Sequence, residues 1–220
     1  MKNLLYLVAM VATLHLLPVF SSSAQKRVSE LSLIYDYSAG STVPGSQSEY
    51  AVHAVYIKGS KSRSEMTSPL FSSTTLFDAN TGFAVILKEV SGQKLLIRLN
   101  PENWVERARA YDGMVFKNTS ETKEIAGYKC IKAIGQTKSG ITVTVFYTRD
   151  LIPENREYDP AFKTLEGLPL EYELTNGDIK IRYRINKINL NPVPASKFDV
   201  PKTGYREMNY EDSKKLNIGG

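Results

Sequence analysis

Cysteine is almost missing from this chain: Cys130 is the only one in 220 residues. No disulfide can form within it, so an exported protein of this size must be held together by its core. Histidine is nearly as scarce, with His15 and His53. One imidazole and one thiol in the mature chain cannot supply the nitrogen and sulfur ligands of a zinc site. A catalytic Ser-His-Asp or Cys-His set would have to use His53, because proton transfer in such sets needs an imidazole. There is no glycine-rich phosphate loop and no metalloprotease His pair. The longest apolar run, Leu4 to Leu17, has 14 residues, short of the ~20 that a spanning helix needs. No strong charge of one sign appears either: the net charge is +5, spread along the chain without the basic patch that nucleic-acid binding requires. No cofactor is implied.

What is present begins with a leader. Lys2 precedes the apolar run, and Pro18 and Ser21-Ser22-Ser23-Ala24 follow it, the order of a secretory signal peptide over residues 1–24. Cleavage after Ala24 makes Gln25 the first mature residue, and 25–205 reads as one domain. Cys130 is not at that first position, so the expected product is exported without a lipid anchor, to the periplasm or the outer-membrane periphery. From 206 the chain turns polar, through Glu211, Asp212, Lys214 and Lys215 to Gly219-Gly220, and reads as a flexible tail. Asn118-Thr119-Ser120 matches a glycosylation acceptor.

Apolar side chains recur at every second position through most of the mature chain, the mark of half-buried strands. Leu31, Leu33, Tyr35 and Tyr37 share one face; Val55 and Ile57 another. Phe83, Val85 and Leu87 are followed by Leu95, Ile97 and Leu99, then Ile141, Val143, Val145 and Tyr147. Leu170, Tyr172 and Leu174 precede Ile179, Ile181, Tyr183 and Ile185. Glu171 and Glu173, and then Lys180, Arg182 and Arg184, occupy the alternate positions, so these strands have a wet side, as in antiparallel sheets. Asn80-Thr81-Gly82, Ser91-Gly92 and Asn176-Gly177 supply turns between runs. Two segments read as short helices. Asn100 caps one that opens on Pro101 and faces inward with Trp104, Ala108 and Tyr111. The other follows Asp159-Pro160 through Ala161, Phe162 and Leu165, with Gly167 as a left-handed cap. The expected fold is mainly β (α+β): an antiparallel half-barrel of about ten strands closed by short helices.

Each candidate for chemistry has a plain competitor. His53 sits among Val52, Ala54 and Val55 and reads as a partly buried strand histidine with one hydrogen-bond partner. Cys130 reads as a packed thiol. Asp78, Asn80 and Glu89 fall at positions 1, 3 and 12 of a calcium loop, but Phe83 stands where that loop needs glycine, so a hairpin turn is expected. Glu171 and Glu173, like Lys180, Arg182 and Arg184, read as solvated outer-face residues. The 13 tyrosines and 8 phenylalanines suit either a filled β core or a ligand cleft. In a cleft, an acyl chain of roughly 14 methylenes at ~0.8 kcal/mol each gains about 11 kcal/mol gross. Association costs reduce that to micromolar binding. The candidate lining residues, by strand parity, are Tyr35, Tyr37, Trp104, Val143, Val145, Ile181 and Tyr183.

Gly127-Tyr128-Lys129-Cys130, Gly167-Leu168-Pro169-Leu170 and Phe198-Asp199-Val200-Pro201 with Gly204-Tyr205 resemble motifs of an exported bacterial family catalogued as domain of unknown function 4412. The resemblance implies the LolA-like fold of the periplasmic lipoprotein carriers LolA and LolB, an incomplete barrel with an apolar cavity for acyl chains. It carries over no catalytic residue. The expectation is therefore an exported, non-enzymatic binding protein holding a lipid or lipoprotein acyl chain in an apolar concave face, in peripheral contact with the outer membrane. The alternative is a structural or interaction protein of the cell envelope with a filled core and no small ligand.

Overall fold

The structure is a computed structural model that describes residues 25–41, 43 and 47–215. The leader expected over 1–24 and the Gly219-Gly220 end lie outside the described residues.

The described residues form fourteen strands. β1 (Lys26–Val28) leads to β2 (Glu30–Ser41), β3 (Glu49–Lys58), β4 (Lys61–Thr67), β5 (Phe71–Asp78), β6 (Ala84–Val90) and β7 (Gln93–Leu99). Helix α1 (Pro101–Ala108) separates these from β8 (Lys117–Ile125), β9 (Tyr128–Gln136), β10 (Thr142–Thr148) and β11 (Leu151–Pro153). β12 (Leu168–Asn176), β13 (Ile179–Asn189), β14 (Arg206–Met208) and helix α2 (Tyr210–Lys215) complete the chain. Twelve strands form one open sheet in the order β14-β7-β6-β5-β4-β3-β2-β13-β12-β10-β9-β8, while β1 pairs with β11 alone. Every pairing in the large sheet is antiparallel except β14 with β7. The sheet does not close into a barrel, and its helices are short. This is the mainly β half-barrel that the alternation implies, with more strands than expected.

Parity fixes the inner face. Cross-strand partners carry Tyr37, Tyr183, Tyr172, Val145 and Ala133 in one row across β2, β13, β12, β10 and β9. Leu31, Leu33, Tyr35, Val55, Ile57, Val143, Val145, Leu168 and Leu170 join Phe162 and Leu165 in the main core. The row between alternates charges: Glu171 stands opposite Arg184 and Glu173 opposite Arg182, and they form ion pairs. The solvated reading of these residues holds.

In the wing β4–β7, strand β6 departs from the expected parity, while Ile97 and Leu99 of β7 face inward as expected. Phe83 precedes β6 and is exposed, and Ala84 and Ile86 face inward with Ile97 and Leu99. Val85 and Leu87 face outward, yet Leu87 is buried, because the chain after β13 lays Phe198, Val200 and Tyr205 over Leu76, Leu87 and Leu96. Arg63 donates to the Lys197 carbonyl to fix this strap. Both faces being covered, β6 is apolar on both sides and alternation cannot identify the inner one.

Asn100 caps α1 as expected, its Oδ1 accepting from the Asn103 amide at 2.8 Å. The second expected helix is instead two 3₁₀ turns, Arg156–Tyr158 and Pro160–Phe162, the latter capped by Asp159. Gly167 is not a left-handed cap: a Cβ there would stand 2.0 Å from the Thr148 carbonyl oxygen, so glycine serves close backbone approach. Residues 206–215 do not form a loose tail. β14 joins β7, and α2 packs onto the inner face of the wing with Tyr210 and Ser213 buried.

β8 ends the sheet. It is polar and mostly exposed, and its pairing slips between Asn118 and Thr122.

Candidate functional site

The inner face is not uniformly filled. Between Val55 and Ile57 on one side and Ile86 and Ile97 on the other, β4 and β5 present Ser62, Ser64 and Thr75 inward. These small side chains leave a hollow that α1 spans without closing. The result is a pocket of about 330 Å³, within the range of small-ligand sites. Its apolar wall is Val55, Phe77 and Trp104, with Ala108 and Ala110, and its polar groups are Ser62, Ser64, Thr75, Arg107, Tyr111, Tyr158 and Asp159. The indole of Trp104 lies on the Phe77 ring, centroids 4.3 Å apart.

The pocket carries charge of both signs. Asp159 accepts from the Ala161 amide at 2.9 Å, and burial pushes its carboxyl up to about 6. Tyr158, its neighbour in the chain, has a buried hydroxyl without a hydrogen-bond partner. Arg107 also lines the pocket, and burial makes its guanidinium less basic. Burial also raises the Tyr111 phenol; Asp159 raises it further and Arg107 lowers it, so Tyr111 feels both charges.

His53 meets Ser64 from below, Nε2 to Oγ 2.8 Å. The pair resembles half of a nucleophilic dyad, but the rest is not built. His53 Nδ1 is buried without a partner, and no carboxylate orients the ring. Burial lowers the imidazole to about 4, too weak a base to activate a hydroxyl at neutral pH. Tyr35 stacks on the ring and Tyr183 meets it edge-on. His53 is the buried strand histidine with a single partner that the sequence implied. Cys130 likewise sits in the core, its thiol pushed up to about 11 by burial. Asp78 spends its carboxylate on the Asn80 amide within a tight turn.

Of the seven expected lining residues, Trp104 alone reaches this pocket. Val143 and Val145 are fully enclosed, so neither touches a space large enough for a water molecule. Tyr35 is also buried, and its hydroxyl donates to the Pro169 carbonyl. Tyr183 stacks on Tyr172 at 4.3 Å and meets Tyr37 edge-on at 5.1 Å. Ile181 is half-buried next in the row, paired with Leu174. These aromatics occupy the expected concavity themselves. Parity chose the correct face but could not show where it is packed shut. The missed signal was the opposite kind of residue: serine and threonine at inward positions 62, 64, 73 and 75.

A larger cleft, about 610 Å³, lies among Lys132, Phe146, Glu171, Glu173, Arg182 and Arg184, and Tyr37 and Tyr183 of the expected lining border it. Its charges are already matched: Glu171 to Lys123 and Arg184, Glu173 to Lys180 and Arg182, Lys132 to Glu121.

No family model matches the chain, so the likeness to domain of unknown function 4412 finds no support there, and no curated protein matches it. Among solved structures, PNGF-II aligns with a TM-score of 0.51 and 16% identity over 85% of this chain and 33% of its own. This chain thus spans about a third of that protein's length. An uncharacterized conserved protein from Thermus thermophilus aligns at TM-score 0.46 and 9% identity, covering 80% of this chain and 90% of its own. A LolA superfamily protein from Nitrosomonas europaea, NE2245, aligns at 0.38 and 8%, covering 80% and 92%. The PNGF-II alignment concerns fold, which does not carry activity with it.

Proposed function

We propose that this is an exported, non-enzymatic binding protein whose ligand is a single short apolar chain or lipid end held beneath α1. The observation that carries the reading is the pocket itself: an apolar wall of Val55, Phe77 and Trp104 facing a few convergent polar groups, the composition of small-molecule sites. Its size narrows the ligand. With ~30 Å³ for a water in the liquid, 330 Å³ holds on the order of ten methylene-sized groups. That is one short chain, not the several chains of a lipoprotein. Burying about ten methylenes at ~0.8 kcal/mol gives roughly 8 kcal/mol gross, and the cost of association leaves affinity no tighter than micromolar. The weak basicity of His53 and its orphaned Nδ1 support a binding role over a catalytic one.

Trp104 is the only tryptophan in the chain and stands in the pocket wall, so its emission is the natural readout. Titration with dodecanol up to its solubility limit should shift that emission progressively. A flat response across dodecanol, dodecanoate and dodecyl phosphate would remove this reading.

The second reading, an envelope structural or interaction protein with a filled core, is favoured by the sealed Tyr35, Val143, Val145 and Leu170. It predicts that flat response.

A further inference from the structure

We infer that the pocket beneath α1 selects an amphiphile with an anionic head, carboxylate or phosphate, and that Arg107, with Lys88 nearby, receives that head. The inference rests on the binding role proposed above and adds the ligand's charge.

Two observations meet here. The inward face of the α1 segment carries Trp104, Arg107, Ala108 and Tyr111, spaced at three and four residues, and all four line the pocket. A guanidinium on the packed face of a helix ordinarily has a carboxylate partner, because taking a charge from water uncompensated is costly. Among the described residues Arg107 has none in ion-pairing distance: the neighbouring Glu106 is engaged by Lys214, and the pocket's one carboxylate, Asp159, accepts from the Ala161 amide.

The second observation is a further positive charge on the same side. On β6, Lys88 falls on the inward parity of Ala84 and Ile86, half-buried on the face that α1 covers. Burial and then the Arg107 charge both make its ammonium less basic. The two cations are within electrostatic reach of each other and repel, and an anionic head on Arg107 relieves that repulsion. A guanidinium fork fits carboxylate and phosphate oxygens equally.

Tyr111 and Tyr210 are the other titratable groups near Arg107.

Trp104 emission of the full chain at pH 8 tests this with dodecanol, dodecanoate and dodecyl phosphate, each below its micelle concentration or solubility limit. Dodecanoate, dodecyl phosphate or both should bind at least tenfold tighter than dodecanol, and the stronger of the two identifies the head. Arg107→Met, which keeps the aliphatic stem, should bring the anion down to the level of the alcohol, and Arg107→Lys should restore part of the preference. If all three bind equally to the wild-type chain, the pocket is a ligand site and the head-group inference is wrong. If none binds, both fail together. The wild-type comparison decides the matter even should Arg107→Met not fold.

Discussion

The hydroxyl of Tyr35 on β2 donates to the carbonyl of Pro169 on β12 at 2.8 Å, across β13, which lies between the two strands. The reach spans two strand spacings of about 4.8 Å. It works because the sheet bends and because Pro169 stands beside a bulge in the β10–β12 register, before β12 begins its pairing with β13. Pro169 is buried, so removing this donor takes a hydrogen bond out of the interior. Tyr35→Phe should therefore cost about 1–3 kcal/mol, read as a lower urea midpoint with an unchanged slope. A loss below about half a kcal/mol, the low end for a hydrogen bond, would mean that water or a backbone amide takes the acceptor.

Asp159 and His53 oppose each other along the pH axis. The folded chain binds the Asp159 proton more tightly than the unfolded chain, since burial raises that carboxyl to about 6. Its stabilising share is complete below about pH 4 and lost as pH rises through about 6. His53 is lowered to about 4, so its share is complete above about pH 6.5 and lost as pH falls through about 4. Asp159→Asn keeps an oxygen acceptor for the Ala161 amide and removes one titration. Its stability should fall steadily from pH 7 to 4, where the wild-type curve is flatter, and at pH 7.5 it should exceed wild type by roughly 1–3 kcal/mol. A variant weaker than wild type at pH 7.5 would contradict the buried-acid account.

Gly167→Ala should be among the most damaging single changes. Its Cβ would collide with the Thr148 carbonyl oxygen at 2.0 Å and the Tyr147 ring at 2.9 Å, and backbone cannot yield as a side-chain tip can. A loss above about 3 kcal/mol, or no folded product, is expected; a midpoint within experimental error of wild type would show that β12 can shift freely there.

Cys130 should ignore thiol reagents in the native state. It has no exposed surface and its thiol is pushed up to about 11, so thiolate is scarce at neutral pH. Labelling at pH 8 should track global unfolding in urea; rapid labelling without denaturant would reveal local opening of β9.

The strands around Tyr35, Val145 and Tyr183 were readable because one face there is dry and the other carries Glu171, Glu173, Arg182 and Arg184. Period-two alternation is strongest under that condition. It failed at β6, where the strap bearing Phe198 and Val200 covers the second face, a contact distant in sequence. α1 was legible from Asn100-Pro101 because capping is local chemistry. The pocket was not, since a hollow is defined by what small residues leave open, and Ser62, Ser64 and Thr75 look like ordinary polar strand positions until α1 is seen above them. Arg107 was missed for the same reason: nothing in the sequence says which cations lack partners.

A sheet that never closes has two bare margins, each a template for another strand. At β8 the margin is made inhospitable: Lys117, Lys123 and Glu124 interrupt any greasy surface, and the slip between Asn118 and Thr122 breaks the ladder a newcomer would have to match. At that end the sheet can thus stay open without offering a second copy a ladder to extend.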